Sequence, residues 1–558
     1  MNGRLQFGVL YHQFLFRLMD VELLSASAAG DASGLLGQLG ALLISPSLIF
    51  ALGAFTVGQA VRNQDPMAFP AASVELFLIS TTMLVVGIFA LLSWDSTFPD
   101  RRDVLVLAPL PVRGRTLFAA KVAASASALG LVVAAWNSFS ATAWSLMLAP
   151  ADSGTAGTLR YLAAVWVTVA AAGTFIYCLV LGIQGAAAQL PRRWYLRISP
   201  ALQIASFVLF LAVFCFQPSP RPENQSTFQW LPAYWFLGCL QSLGGGGMRA
   251  VTVPFAWRAA VAPAVAILAA GSAFLLSYLR TIRKIVEEPD VTPGARGGIW
   301  LPPLGHSART ALAQFTIRTL ARSRGQRTVL GFYLGGGLAI VAVYLEGVME
   351  MTHFKWADIL RLVGTPLMAA SAVMLGAAWL GTRTVFAMPV DLRANWIFRL
   401  TPLPPAADSL AAARRALLTL AVLPILAASA VILFAFWPWR PAAEHLIVLA
   451  LGGSILTDLS LRDFHKIPFA CSYLPGKSKV HMVFWFGVIP AMMMLHKLAE
   501  FERDAMASAL HYGIMIALLA AAAITARLNS THAVAGPGAE IHFEEIPSDE
   551  PVRLNLNR

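Results

Sequence analysis

The stretch from Cys471 to Ser478, CSYLPGKS, ends in the Gly-Lys-Ser that closes a phosphate-binding loop. A full G-x-x-x-x-G-K-[ST] loop cradles phosphates with backbone N–H groups and a lysine. Its first glycine would fall at position 471, where Cys471 puts a β-carbon into the turn that the phosphates occupy. Lys477 is the only one of the seven lysines that follows a glycine, so no such loop is expected elsewhere and ATP is not hydrolysed by that route. The four cysteines (Cys178, Cys215, Cys239 and Cys471) form no C-x-x-C pair, and none of the ten histidines lies four residues from another. These spacings give neither a disulfide framework nor a metal centre, and no cofactor is expected.

Four further charged residues could move ions: Glu75, Glu346, Asp458 and Lys121 all lie in apolar stretches. Ion-coupled carriers keep such groups at membrane depth. Here Glu75 and Glu346 read as lying toward the outer ends of their spans and Asp458 toward an inner end. Lys121 is long enough to snorkel to the inner surface. All four read as interfacial charges reaching water, which speaks against an ion-driven carrier. No convergent Ser/His/Asp constellation stands out, so an enzyme is not expected.

The elements that carry these residues are membrane helices. Of 558 residues, 57% are hydrophobic and 13% charged, with a mean hydropathy of +0.66. Soluble domains carry roughly 25% charge, so this chain has too little polar surface to clothe a body in water. Twelve apolar runs long enough to span occur at 34–56, 72–94, 117–149, 158–188, 199–217, 259–279, 328–349, 362–385, 415–437, 443–461, 480–497 and 507–527. The third exceeds one membrane thickness, which predicts a tilted or projecting helix. With both termini in the cytoplasm, 31 of the 41 Lys and Arg residues fall on the inner side. That asymmetry is the positive-inside pattern, and dropping one span would spoil it. The net charge of +12 is thereby assigned to anionic lipid head groups rather than nucleic acid.

The N-terminal stretch has charge mixed into its apolar run and no small-residue cleavage site, unlike a signal peptide. Phe7, Leu10, Tyr11, Phe14 and Leu18 recur at helical spacing opposite Gln13, Arg17 and Asp20, predicting an amphipathic interfacial helix. A second one is expected over 308–326, with Leu312, Phe315 and Leu320 on its apolar side and Arg318 and Arg322 one turn apart. The chain thus divides into a first six-helix half (1–283), a Pro/Gly-rich charged linker (284–306), a second six-helix half (307–527) and a polar, disordered tail (528–558). Both halves carry Pro-Leu-Pro after their second span: Pro109-Leu110-Pro111 and Pro402-Leu403-Pro404. After the fourth span come Leu190-Pro191-Arg192-Arg193 and Leu474-Pro475-Gly476-Lys477, so the quoted Gly-Lys-Ser is the second copy of a Leu-Pro-basic loop. Proline fixes φ and lacks an N–H, so these loops stop one helix and aim the next. Six spans per half makes the repeats parallel.

One loop carries a family resemblance. Asp100, Arg101, Arg102, Leu105, Leu107, Pro109, Leu110, Pro111 and Arg113, followed by Lys121 early in the next helix, resemble the permease subunits of ABC-2-type exporters. The interfacial helix before the first span is similar as well. The resemblance covers about 25 residues strongly and the remaining spans only diffusely. It implies an all-α, multi-pass subunit of a bacterial-type inner or plasma membrane that exports a substrate with work from a separate ATP-binding subunit. That ABC ATPase would dock on the cytoplasmic loops through Asp100, Arg101, Arg102, Asp103, Pro109, Pro111, Arg113, Pro191, Arg192, Arg193, Pro402, Pro404, Pro475 and Lys477. One copy or a homodimer would complete the complex. Pro405-Ala406-Ala407 replaces the Val-Arg-Gly that follows the first Pro-Leu-Pro, which weighs against symmetric docking of two ATPases. The run Ser242-Leu243-Gly244-Gly245-Gly246-Gly247 superficially resembles an ABC ATPase signature but falls in an external loop. That loop also brings Trp230, Tyr234, Trp235 and Phe236 together, as an interfacial or re-entrant piece would. The alternatives are a standalone secondary transporter and a non-transporting membrane scaffold.

Overall fold

The computed structural model describes residues 3–19, 32–62, 70–97, 113–149, 154–218, 220, 225–245, 252–287, 307–352, 364–388, 398, 405–462, 467–470 and 494–535. These residues are 91% helical and include no strand. They fall into two compact units, Met1–Ala295 and Arg296–Arg558.

The first unit contains α1 (Gly3–Met19), α2 (Ala32–Arg62), α3 (Ala71–Leu92), α4 (Gly114–Asn137), α5 (Ser140–Leu148), α6 (Gly154–Ala188), α7 (Arg192–Cys215), α8 (Pro232–Gly244) and α9 (Ala256–Glu287). α6 is its central element, packed against α3, α8 and α9. The second unit contains α10 (Ala308–Arg322), α11 (Arg324–Thr352), α12 (Thr365–Ala387), α13 (Ala406–Leu417), α14 (Leu423–Phe436), α15 (Trp439–Ser460), α16 (494–506) and α17 (Ala509–Ala535). α11 lies along α12, and α15 along α17.

Ten helices among the described residues are long and apolar enough to cross a membrane. Their outer faces leave Leu268, Val431, Leu510 and Leu518 largely exposed. A water-soluble surface would not carry such side chains in rows, whereas a hydrocarbon solvent accommodates them. Of the two other expected spans, 34–56 lies within α2, whose apolar part is the shorter stretch Leu43–Phe55. The run 480–497 falls mostly outside the described residues.

The overlong third span is not one continuous helix. It breaks at Ser138 and Phe139 into α4 and α5. The amides freed at the break are satisfied by Ser47, whose Oγ accepts from the N–H of Phe139 (3.1 Å) and of Ser140 (3.0 Å). An unpartnered amide in hydrocarbon costs several kcal/mol, so this one buried hydroxyl makes the bend tolerable. A second interruption, the π turn Leu418–Val422, precedes Pro424 and absorbs the N–H that proline lacks.

Small residues set two close contacts. A β-carbon on Gly337 would lie 2.5 Å from that of Ala377, and one on Gly238 would lie 2.3 Å from the carbonyl oxygen of Thr252. The first brings α11 onto α12. The second lets α8 press against the chain entering α9.

Candidate functional site

In each unit the amphipathic helix lies on the helix that follows the Pro-Leu-Pro loop. α1 buries Leu10, Phe14 and Leu18, the apolar stripe read from its periodicity, and packs along α4. Tyr11 donates from its hydroxyl to Ser127 Oγ at 3.0 Å. The Lys121 ammonium stands 5.2 Å from the centre of the Phe14 ring and is only 2% exposed. Lys121 therefore does not snorkel to a free surface; α1 covers it, and its charge faces an aromatic ring.

The second unit repeats the arrangement with different chemistry. α10 packs on α13, and Arg309 forms an ion pair with Asp408 in the first turn of α13. Phe315 meets Phe398 edge-on at 5.7 Å. Leu312 and Phe398 also pack on Ile467 and Ala470. The same segment carries Phe469, held at φ 65° with its N–H bonded to the carbonyl of Phe386 at 3.2 Å. A non-glycine residue in this region carries roughly 1–2 kcal/mol of strain, so the short segment just before Cys471 is held firmly.

Proline performs the aiming role expected of it where it can be seen. Pro191 has φ −53° and ψ 142°, and its carbonyl accepts from the N–H groups of Trp194 (2.9 Å) and Tyr195 (3.0 Å). Pro405 stands in the same conformation before α13, and its carbonyl receives the N–H of Asp408 at 2.8 Å. Arg113 precedes α4 in an extended conformation and is exposed. Arg192 and Arg193 open α7. Asp100, Arg101, Arg102, Asp103, Pro109, Pro111, Pro402, Pro404, Pro475 and Lys477 lie outside the described residues.

The charged residues expected to reach water do not all do so. Asp458 is 1% exposed and receives both Nε (2.6 Å) and Nη2 (3.1 Å) of Arg414, which also reaches Ser454 Oγ at 3.1 Å. It clamps α13 to α15. Glu75 is 4% exposed and accepts from Tyr161 Oη at 2.6 Å and Gln241 Nε2 at 3.0 Å. Thr252 in turn donates to Gln241 Oε1 at 2.5 Å. Glu346 is half-buried.

The Glu75 network was not legible in the sequence because its partners lie 86 and 166 residues away. It uses α8, the short helix of the aromatic-rich loop. At 1.5 Å per residue α8 spans about 20 Å, too little to cross a bilayer, yet Tyr234, Phe236 and Leu237 are fully buried. The polar carboxylate therefore has three helices, α3, α6 and α8, built around it. No family model, curated protein or solved structure matches this chain.

Proposed function

We propose that the chain is the membrane-embedded permease subunit of an exporter, driven by ATP hydrolysis on a separate ABC-type subunit. In this reading it has twelve spans and cytoplasmic termini, and sits in a bacterial-type inner or plasma membrane. One observation carries the reading: each unit fastens an amphipathic helix onto the helix that leaves a Pro-Leu-Pro loop. A force applied to the loop at 100–121 or 391–415 would then reach a whole helix pair rather than a free tether. The exposed Arg113 and the basic loop residues Arg101 and Arg102 offer charge for a partner, and the basic face offers it for lipid head groups.

Co-purification tests this. Reversing Arg101 and Arg102 to Glu should release a co-expressed ATPase from the full chain while leaving the chain in the membrane fraction. Unchanged association would remove these residues from the docking surface.

A second reading, a standalone ion-coupled carrier, gains from the burial of Glu75 in a spanning helix. Transport that stops when the ion gradient is collapsed with ATP intact would favour it. Transport that stops only on ATP depletion would favour the exporter.

A further inference from the structure

The second unit holds a chain of three titratable or hydroxylic side chains, two of them buried and the third half-buried, outside the site just described. Ser371 Oγ on α12 lies 2.7 Å from His445 Nε2 on α15, and His445 Nδ1 lies 2.7 Å from Glu502 Oε1 on α16. His445 is 1% exposed and Glu502 6%. Around them pack Met368, Ala369, Leu433, Trp437, Ala442 and Ala499. Ser371 also donates to the carbonyl of Met368 at 2.8 Å, and it has only one hydrogen to give.

Counting hydrogens gives this cluster two states with the same heavy-atom positions. In one, the Ser371 O–H points to Nε2, and the Nδ1–H points to an ionised Glu502, for a net charge of −1. In the other, the Ser371 O–H points to the Met368 carbonyl. Nε2–H then donates to Oγ and Nδ1–H to Glu502, for one more proton and a net charge of zero. The states differ by one proton on Nε2 and a rotation of one hydroxyl. Both satisfy the two ring nitrogens, which burial otherwise makes costly.

We propose that Ser371, His445 and Glu502 form a proton-binding site that loads and releases one proton without repacking the helices. Charges from neighbouring elements frame it without replacing its members. On α16, His496 and Lys497 flank Glu500, and Arg503 pairs with Asp504. Tyr344 of α11 bonds His496 at 2.7 Å. On α15, Arg440 pairs with Glu444, whose carbonyl accepts from Tyr512 of α17 at 2.9 Å, and His511 beside Tyr512 is exposed. Among the described residues the side-chain partner of Glu502 is His445.

The first unit supplies an internal contrast. Glu75, Tyr161 and Gln241 occupy α3, α6 and α8, as Ser371, His445 and Glu502 occupy α12, α15 and α16 in chain order. There a phenol stands where the second unit has an imidazole. A phenol donates to the carboxylate but cannot take a second proton near neutral pH, so the imidazole-centred loading described here has no counterpart at Tyr161. A hydrolytic role fits less well, because Ser371 sits within a helix rather than at a strained turn.

The proposal does not depend on ATPase docking. It is tested with the full chain, labelled with ¹⁵N-histidine, in nanodiscs of phosphatidylcholine and phosphatidylglycerol, across the pH range in which the chain stays folded. The His445 signals, identified by their loss in His445→Gln, should pass from one ring N–H to two as pH falls. Glu502→Gln should leave a single N–H throughout that range, and Glu75→Gln should leave the wild-type response intact. Ser371→Ala, the change least able to disturb folding, should alter the Nε2 signal more than the Nδ1 signal. A constant protonation state in the wild type, or an unchanged response in both Glu502→Gln and Ser371→Ala, overturns the proposal. Fluorophosphonate labelling of Ser371 that is lost in His445→Gln would also overturn it, in favour of a nucleophile.

Discussion

Arg414 and Asp458 close a two-point ion pair between α13 and α15, with the carboxylate inside and the guanidinium toward the rim. The asymmetry of burial decides what each substitution does. Arg414→Met leaves an uncompensated buried carboxylate and should cost about 3 kcal/mol of stability. Asp458→Asn leaves a guanidinium that can still reach solvent and should cost less. The double variant Arg414→Met/Asp458→Leu should recover most of the loss, because the helices then meet through apolar groups. Thermal unfolding of the three variants in one detergent checks the order. Equal losses in both single variants would mean that Asp458 is not confined as described.

The seat of α1 on α4 rests on its apolar stripe more than on its one hydroxyl contact. Phe14→Ala should cost about 3 kcal/mol as a buried aromatic truncation, and Tyr11→Phe about 1 kcal/mol for a single hydrogen bond. Tryptic cleavage after Arg17 should accelerate strongly in the first variant and slightly in the second. The reverse order would place the anchoring in the Tyr11–Ser127 bond.

What could be read from the residues follows from the range of the forces involved. Helix location depends on runs of apolar side chains and on spacing within a few turns, so nine expected spans have close counterparts among the ten apolar helices. The stripe Leu10, Phe14 and Leu18 is local in the same way, and it is buried. The break at Ser138 was hidden because Ser47, which satisfies it, is 92 residues distant. Glu75 and Asp458 were visible as charges in apolar runs, but whether a charge reaches water depends on partners brought by the fold. Tyr161 and Arg414 are ordinary residues in sequence and become informative only beside those carboxylates. His445 and Glu502 lie 57 residues apart, and no spacing rule connects them.

Gly238 carries the contact between α8 and the start of α9. A methyl group there would meet the Thr252 carbonyl, which is backbone and cannot rotate away. Gly238→Ala should therefore cost about 2 kcal/mol, as overpacking does, and should loosen the Thr252–Gln241–Glu75 chain. Gly271→Ala on α9, where a β-carbon meets nothing within 4 Å, should instead be neutral or stabilising by about 0.5–1 kcal/mol. Matched unfolding curves for the two variants separate close approach from helix propensity. If both shift alike, close approach at position 238 is not the cause.

The acid side of the stability profile should carry a small contribution from Glu500. Its hydrogen bond from Lys497 (2.7 Å), helped by the charges of Lys497, His496 and Arg503, holds the carboxyl below its usual value. A carboxylate depressed in the folded state binds its proton more readily when unfolded. It therefore stabilises the fold above the unfolded value of about 4.3 and loses that contribution as pH falls through its folded value. Glu500→Gln should lower the melting temperature slightly at neutral pH, and the gap should close as pH falls through the folded value. High salt should shrink the neutral-pH gap, because this pair is exposed and screened. A gap that widens on acidification would mean that the Lys497 bond does not form in solution.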